Sequence, residues 1–232
     1  MILWMMICHL ALADAMQNLL LASDNTQSVS QREAAFAQVV RDGSTEVQYL
    51  LDISQDTAQS TRLRWVAIRA LGQIKGPQAE QALMRSLKDP QPAIRTAAVS
   101  ALGDFGQADH VMLVGRFLND DAVIVRVAAA ESLGKIKDPR AVAMIEKALQ
   151  DPRNEYRGAS LWVRAHYVLA LGEIGDPTAY PILLKALSDD DARVVQSAVQ
   201  SLEGIAGFSL GDGRSDQQEV EAWSRWVQNQ IR

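Results

Sequence analysis

A Leu-Gly pair recurs along the chain with a period of about 31 residues, and this period restricts the fold more than any other feature of the sequence. Four pairs belong to the repeat; the first three are evenly spaced, and the fourth is displaced by seven further positions. The pairs are Leu71-Gly72, Leu102-Gly103, Leu133-Gly134 and Leu171-Gly172. Such a period is typical of chains built from stacked supersecondary units.

Charged columns follow the same period. An arginine stands seven residues before each of these leucines: Arg64, Arg95, Arg126 and Arg164. An aspartate follows each leucine, again at one constant spacing: Asp89, Asp120, Asp151 and Asp189. A further unit reaches Leu202 with Val195 in the arginine column, and an earlier, degenerate unit begins at Arg32 with Val39 in the leucine column. These columns predict about six units within residues 31–208.

Each unit reads as two helices. In one first helix, apolar residues recur at the spacing of a single helical face: Val66, Ala67, Ala70, Leu71 and Ile74. The linking segments KGPQ, KDPR and GDPT place a proline where the second helix begins. Neither helix can bury its apolar face alone, so the fold class predicted is all-α, a right-handed α-α superhelix with one continuous core.

The two ends of the chain depart from the repeat. Residues 1–15, MILWMMICHLALADA, form an apolar run followed by small residues, as in a secretory signal peptide. The alternative is an apolar first helix, because no Lys or Arg precedes the run. Export predicts a periplasmic or secreted protein, and retention a cytoplasmic one. Residues 16–30 lead into the repeats, and residues 209–232 are expected to form a capping helix with an apolar stripe: Val220, Trp223, Val227 and Ile231.

Two units, VRVAAAESLGKIKDPRAVAMIEKALQD and VRAHYVLALGEIGDPTAYPILLKALSD, resemble the short HEAT-like repeats that also occur in phycobilisome-lyase-type proteins. The resemblance implies a HEAT-like or armadillo-type solenoid. It further implies that aspartate and arginine columns support the turn between repeats, in these pairs: Asp89 with Arg95, and Asp120 with Arg126. An insertion separates Asp151 from Arg164, and Val195 breaks the column. A bilin or chromophore lyase-like accessory role is implied by resemblance alone.

The residue inventory argues against an enzyme. The only cysteine is Cys8, no His-Glu dipeptide occurs, and G-x-S-x-G, Walker-type and H-E-x-x-H motifs are absent from the sequence. His110 and His166 replace alanine or valine in their columns and are predicted to be structural, although Glu173 follows His166 by seven residues. The net charge of −5 does not favour nucleic acid as a partner. No cofactor is predicted. No membrane span is predicted either, since the apolar run is about half the roughly 20 residues that a span requires.

Three segments are candidates for binding a protein partner. One is a basic ladder on the second helices: Arg85, Arg116, Lys147 and Lys185. These cations equally suit the last turn of a helix, where they complement its dipole. Another is the seven-residue insertion in DPRNEYRGASLWVR, which contributes Arg153, Tyr156, Arg157 and Trp162. Trp162 shares the column of Ile124, so packing between repeats is the alternative. The third is Trp226, which lies off the C-terminal stripe.

The sequence therefore predicts a non-catalytic scaffold that binds another protein on an extended surface. The second-helix face, with the insertion as an anchor, is the expected contact. Binding of an anionic surface by the basic ladder is a further alternative. Oligomeric state is not encoded in any of these patterns.

Overall fold

The computed structural model describes residues 2–43, 47–156 and 159–231. They form two compact units, Met1–Phe105 and Gly106–Arg232, called here unit 1 and unit 2. Both are built from stacked helical hairpins, which confirms the predicted all-α solenoid class. Among the described residues, β structure is confined to a hairpin of two-residue strands in unit 2.

Unit 1 contains six helices within its described part: α1 (Ile2–Ser23), α2 (Val29–Gly43), α3 (Gln48–Gln55), α4 (Thr61–Ile74), α5 (Pro77–Ser86) and α6 (Pro92–Phe105). Unit 2 continues with α7 (Val111–Gly115), α8 (Val123–Ile136), α9 (Arg140–Leu149), α10 (Val163–Ile174), α11 (Tyr180–Ala186), α12 (Ala192–Ala206) and α13 (Asp216–Gln230). Short 3₁₀ helices cover Ala108–His110, Arg116–Asn119, Pro152–Asn154 and Pro177–Ala179. The strands are β1 (Glu155–Tyr156) and β2 (Ala159–Ser160).

The first helices of successive repeats pack side by side, α4 on α6 in unit 1 and α8 on α10 on α12 in unit 2. The column leucines Leu71, Leu133 and Leu171 are fully buried in these contacts. The glycine beside them permits the close approach, because a Cβ on Gly72 would lie 2.6 Å from the Cβ of Ala101. The Leu-Gly pair therefore marks the line along which neighbouring helices touch.

Two column arginines, Arg64 and Arg164, join a first helix to the turn of its own repeat. In unit 1, the buried Arg64 donates to the Asp89 carboxylate at 2.5 Å and to the carbonyl of Ser54 at 3.2 Å. Arg164 pairs in the same way with Asp189, at the same spacing along the chain. The turn contact implied between Asp89 and Arg95 is made by the main-chain carbonyl of Asp89, at 2.9 Å, and not by its carboxylate.

The apolar N-terminal segment belongs to one helix, α1, which runs without interruption through residue 15. Its second half buries Ala15, Leu19 and Ala22, and the helix packs on α2 and α4. Within the described part of the chain, no helix combines the length and hydropathy of a membrane span. Cleavage of a signal peptide remains a prediction.

Helix α13 packs on α11 and α12. Ser215 and Gln218 form a capping box at its N-terminus, and Trp223 and Val227 are fully buried. The stripe ends earlier than predicted, since Ile231 follows the helix and is 45% exposed. Trp226, which lies off the stripe, is half-buried, and its ring meets those of three neighbours edge to face: Tyr180, Phe208 and Trp223.

Candidate functional site

The insertion in unit 2 is anchored by a buried asparagine. Asn154 ends the 3₁₀ helix that follows Asp151, and its side-chain oxygen accepts a hydrogen bond from Nε of Arg126 at 2.9 Å. Its amide donates to the carbonyl of Ala148 at 2.8 Å. Arg126 also donates to the carbonyl of Asp120 at 2.8 Å, which is the implied turn contact made through the main chain. Asn154 thus takes the place that the column aspartate holds in the repeats of Arg64 and Arg164.

Arg153 of the insertion makes its contacts within the fold. Arg153 pairs with Asp151 at 2.6 Å and donates to the carbonyl of Asn119 at 3.2 Å. Donation from Arg153 lowers the pKa of the Asp151 carboxyl below its ordinary value. The hairpin pairs Tyr156 with Ala159. The candidate Arg157 lies outside the described residues.

Tyr167 fills the space beneath the insertion. In three other repeats its column holds small residues, all buried: Ala67, Ala98 and Ala129. Tyr167 is fully buried as well, and its hydroxyl donates to the carbonyl of Leu118 at 3.1 Å. Burial raises the pKa of Tyr167 to about 12. A tyrosine in an alanine column was a sequence signal for this packing, and it points to a structural insertion.

Trp162 remains exposed at the start of α10. Its side chain is 42% exposed, and Ile124 in the same column is 44% exposed, so this column does not pack into the core. The Trp162 ring meets His166 edge to face, with ring centroids 5.2 Å apart. His166 Nδ1 lies 3.0 Å from a carboxylate oxygen of Glu131, which is the neighbour it contacts in place of Glu173. His110, by contrast, is buried.

The four cations of the basic ladder are exposed. Arg85, Lys147 and Lys185 lie in the last turn of a second helix, and Arg116 begins the 3₁₀ helix that extends α7. Lys185 borders a small cavity of about 140 Å³ between α9, α10, α11 and α12. The positions of the four ladder cations suit both solvation of their charges and a favourable interaction with the helix dipole.

Unit 1 contains an open groove of about 560 Å³ between α2 and α4 that the sequence did not reveal. We call it the arginine–aromatic groove and define it by five side chains: Arg32, Phe36, Arg62, Trp65 and Arg69. Its volume is within the range of pockets that bind ligands, about 300–1,000 Å³. Ala22 and Val66 add apolar lining, and Glu33 lies at its exposed rim.

Arg69 contacts two aromatic rings in this groove. Its guanidinium carbon lies 4.7 Å from the centroid of Phe36 and 4.7 Å from that of Trp65. Contacts of this kind contribute about 0.5–1 kcal/mol each at exposed sites. Within residues 2–43, 47–156 and 159–231, Arg69 makes no hydrogen bond or ion pair.

Arg32 is the column arginine of the degenerate first repeat, but it lacks the aspartate partner that Arg64 and Arg164 have. The residue at the equivalent spacing after Arg32 is Thr57, which cannot act as a counterion. Nε of Arg32 is buried without a hydrogen-bond partner among the described residues. The third arginine, Arg62, donates from Nε to the carbonyl of Ser23.

The groove escaped prediction from the sequence for a specific reason. The register that aligns Val39 with Leu71 aligns Phe36 with Ile68, which is fully buried, so the repeat pattern gives no sign that Phe36 lines a groove. The available signal was the pair Trp65 and Arg69, which stand four residues apart on one helix face.

The sequence pattern of HEAT repeats matches residues 47–121, 97–162 and 113–203, more than half of the chain. No curated protein matches the chain by sequence. Among solved structures, an engineered protein is 20% identical, with a TM-score of 0.51 over 83% of this chain and 89% of its own. That likeness shows the fold alone.

Two natural proteins are similar at lower TM-scores. The phycocyanin lyase complex of CpcE and CpcF from Nostoc sp. PCC7120 is 19% identical, with a TM-score of 0.48, covering 90% of this chain and 94% of that chain. Human deoxyhypusine hydroxylase in complex with glycerol is 17% identical, with a TM-score of 0.41, covering 86% and 98%. Neither likeness is close enough to transfer an activity.

Proposed function

Because the chain belongs to the HEAT-repeat family, we propose that it is a non-catalytic scaffold that binds another protein. The proposed contact surface is the first-helix face, which we define as the exposed side chains on the first helix of each repeat. Arg69 represents this face in unit 1, and Trp162, at the start of α10, represents it in unit 2. The observation that carries this proposal is that large side chains on this face stay exposed although a core lies directly behind them. Exposed Trp and Arg are the residue types most enriched at binding hot spots.

The use of the polar columns supports a binding role over a catalytic one. Arg64 and Asp89 hold a repeat junction, and Arg126 with Asn154 holds the insertion. His166 contacts Glu131 and Trp162 at a surface. Each of these groups has a structural partner, so the proposal requires no reaction at any of them.

Site-specific photo-crosslinking tests the proposed face in the source cells. A crosslinking amino acid replaces Trp162 on the first-helix face, and in a matched variant it replaces Met112, which is 54% exposed on the second helix α7. We expect a discrete protein adduct with the probe at position 162 and none at position 112. An adduct only at position 112, or at neither position, would contradict the proposal.

Binding of an anionic surface by the basic ladder is a second candidate function. Its support is that Arg85, Arg116, Lys147 and Lys185 are exposed and make no ion pair within the described residues. Charge reversal at Arg116 and Lys147 should then abolish retention on heparin. Unchanged retention would remove this candidate.

A further inference from the structure

The arginine–aromatic groove contains cationic groups for which the fold supplies no counterion. Arg64 and Arg164 each meet the aspartate of their own repeat, whereas Arg32 has Thr57 at the equivalent position. A buried donor without an acceptor costs about 1–3 kcal/mol, and more when it is charged. An anionic ligand in the groove would supply the missing acceptor.

The stacking of Arg69 prepares its guanidinium for such a ligand. The rings of Phe36 and Trp65 both contact the guanidinium carbon of Arg69, and the side chain is exposed, so its N–H donors are accessible. A guanidinium edge matches a carboxylate with two parallel hydrogen bonds. Because the rings already restrict the side chain, binding loses less conformational entropy than with a free arginine.

We infer that the groove binds an acidic peptide segment of the protein partner, with its carboxylates on Arg69 and Arg32. Apolar side chains of the segment pack against Trp65 and the neighbouring Val66. The inference rests on the proposed function and names the chemistry of the partner. A peptide fits better than a polyanion, because the aromatic and apolar lining of the groove, Ala22 with Phe36 and Trp65, can pack apolar side chains that a continuous run of phosphates lacks.

Peptide selection tests this inference with the full chain. A library of short random peptides is selected against the immobilised protein, and the enriched sequences are measured by fluorescence anisotropy. We expect enrichment of Asp and Glu. Arg69→Ala should weaken binding of the selected peptides at least about tenfold, the usual size of a hot-spot effect. Because Arg69 is exposed and its two ring contacts together contribute only about 1–2 kcal/mol, its variants should remain folded in the assay.

Two variants separate specific recognition from general charge attraction. Arg69→Lys keeps the charge but not the planar fork, so its affinity should remain at least about threefold weaker than that of the parent. Arg116→Ala removes the same charge from the second-helix face and should change affinity less than about twofold. Equal losses for Arg69→Ala and Arg116→Ala would overturn the inference.

Other outcomes decide between ligands and between proposals. Tighter, Arg69-dependent binding of a short oligonucleotide or of phosphatidylserine vesicles would overturn the choice of a peptide. Enrichment of non-acidic peptides, with the adduct at position 162 preserved, would refute this inference and leave the proposed function standing. Binding of acidic peptides through Arg69 without any adduct at position 162 would support peptide binding in the groove. It would refute the first-helix face as the contact surface.

Discussion

The insertion of unit 2 and the arginine–aromatic groove of unit 1 contain the same residue types, but their arginines meet different neighbours. In the insertion, Arg153 pairs with Asp151, and the neighbouring Arg126 donates to Asn154. In the groove, Arg69 contacts the rings of Phe36 and Trp65, and Arg32 lacks the aspartate of its column. Composition alone therefore does not distinguish the two regions; they differ in the donors that the fold leaves unused.

Truncation of Tyr167 should have the largest effect, because it removes the side chain that supports the insertion. Tyr167→Ala should lower the free energy of unfolding by about 3–5 kcal/mol, as for other buried aromatic residues. Urea denaturation followed by circular dichroism measures the change. A loss below about 1 kcal/mol would show that the insertion does not depend on this packing.

The conservative variant Tyr167→Phe is the matched control, and it adds a pH test. It should cost about 1 kcal/mol through loss of the hydrogen bond to Leu118. Since burial raises the pKa of Tyr167 to about 12, the folded state keeps the phenolic proton longer than the unfolded chain, whose pKa is about 10. The stability that the buried, protonated Tyr167 contributes is complete below about pH 10 and is lost as the pH rises to about 12. About 1.4 kcal/mol of the free energy of unfolding is lost by about pH 11. Tyr167→Phe should lack that component, and identical pH profiles for the two proteins would contradict the assignment.

Removal of the Asn154 side chain should have the next largest effect. Asn154→Ala leaves the buried Arg126 without its side-chain acceptor, so we expect a loss of about 2–3 kcal/mol in the free energy of unfolding. The matched control is Arg153→Ala, which removes an exposed pair and should cost less than about 0.5 kcal/mol. Thermal and urea unfolding of both variants measure the difference. Equal losses would mean that the anchor of the insertion is wrongly identified.

The repeat architecture could be predicted because each column makes the same contact several times. Leu71 is buried as expected, and Gly72 permits the expected helix contact. The period also located the insertion between Asp151 and Arg164. It could not show that Asn154 replaces the aspartate, because that exchange depends on the path of a non-repeating loop.

The candidate site was harder to predict because it arises where the repeat is imperfect. The alignment placed Arg32 in the arginine column, but the absence of its partner is evident only once the pairing of Arg64 with Asp89 is known. Phe36 is only half-buried, although Ile68 in the same column is fully buried, and its ring contacts Arg69 of α4. Trp226 illustrates the converse, since its environment comes from Phe208 and Tyr180, which lie outside its own helix.

The affinity of a selected acidic peptide for Arg69→Ala and Arg153→Ala, measured side by side, tests the central claim most directly. Both variants remove one arginine from a segment rich in aromatic residues, and neither should unfold the protein. We predict a loss of at least about tenfold for Arg69→Ala and a change below about twofold for Arg153→Ala. An equal or larger loss for Arg153→Ala would contradict this prediction. It would favour the insertion, and not the groove, as the binding site.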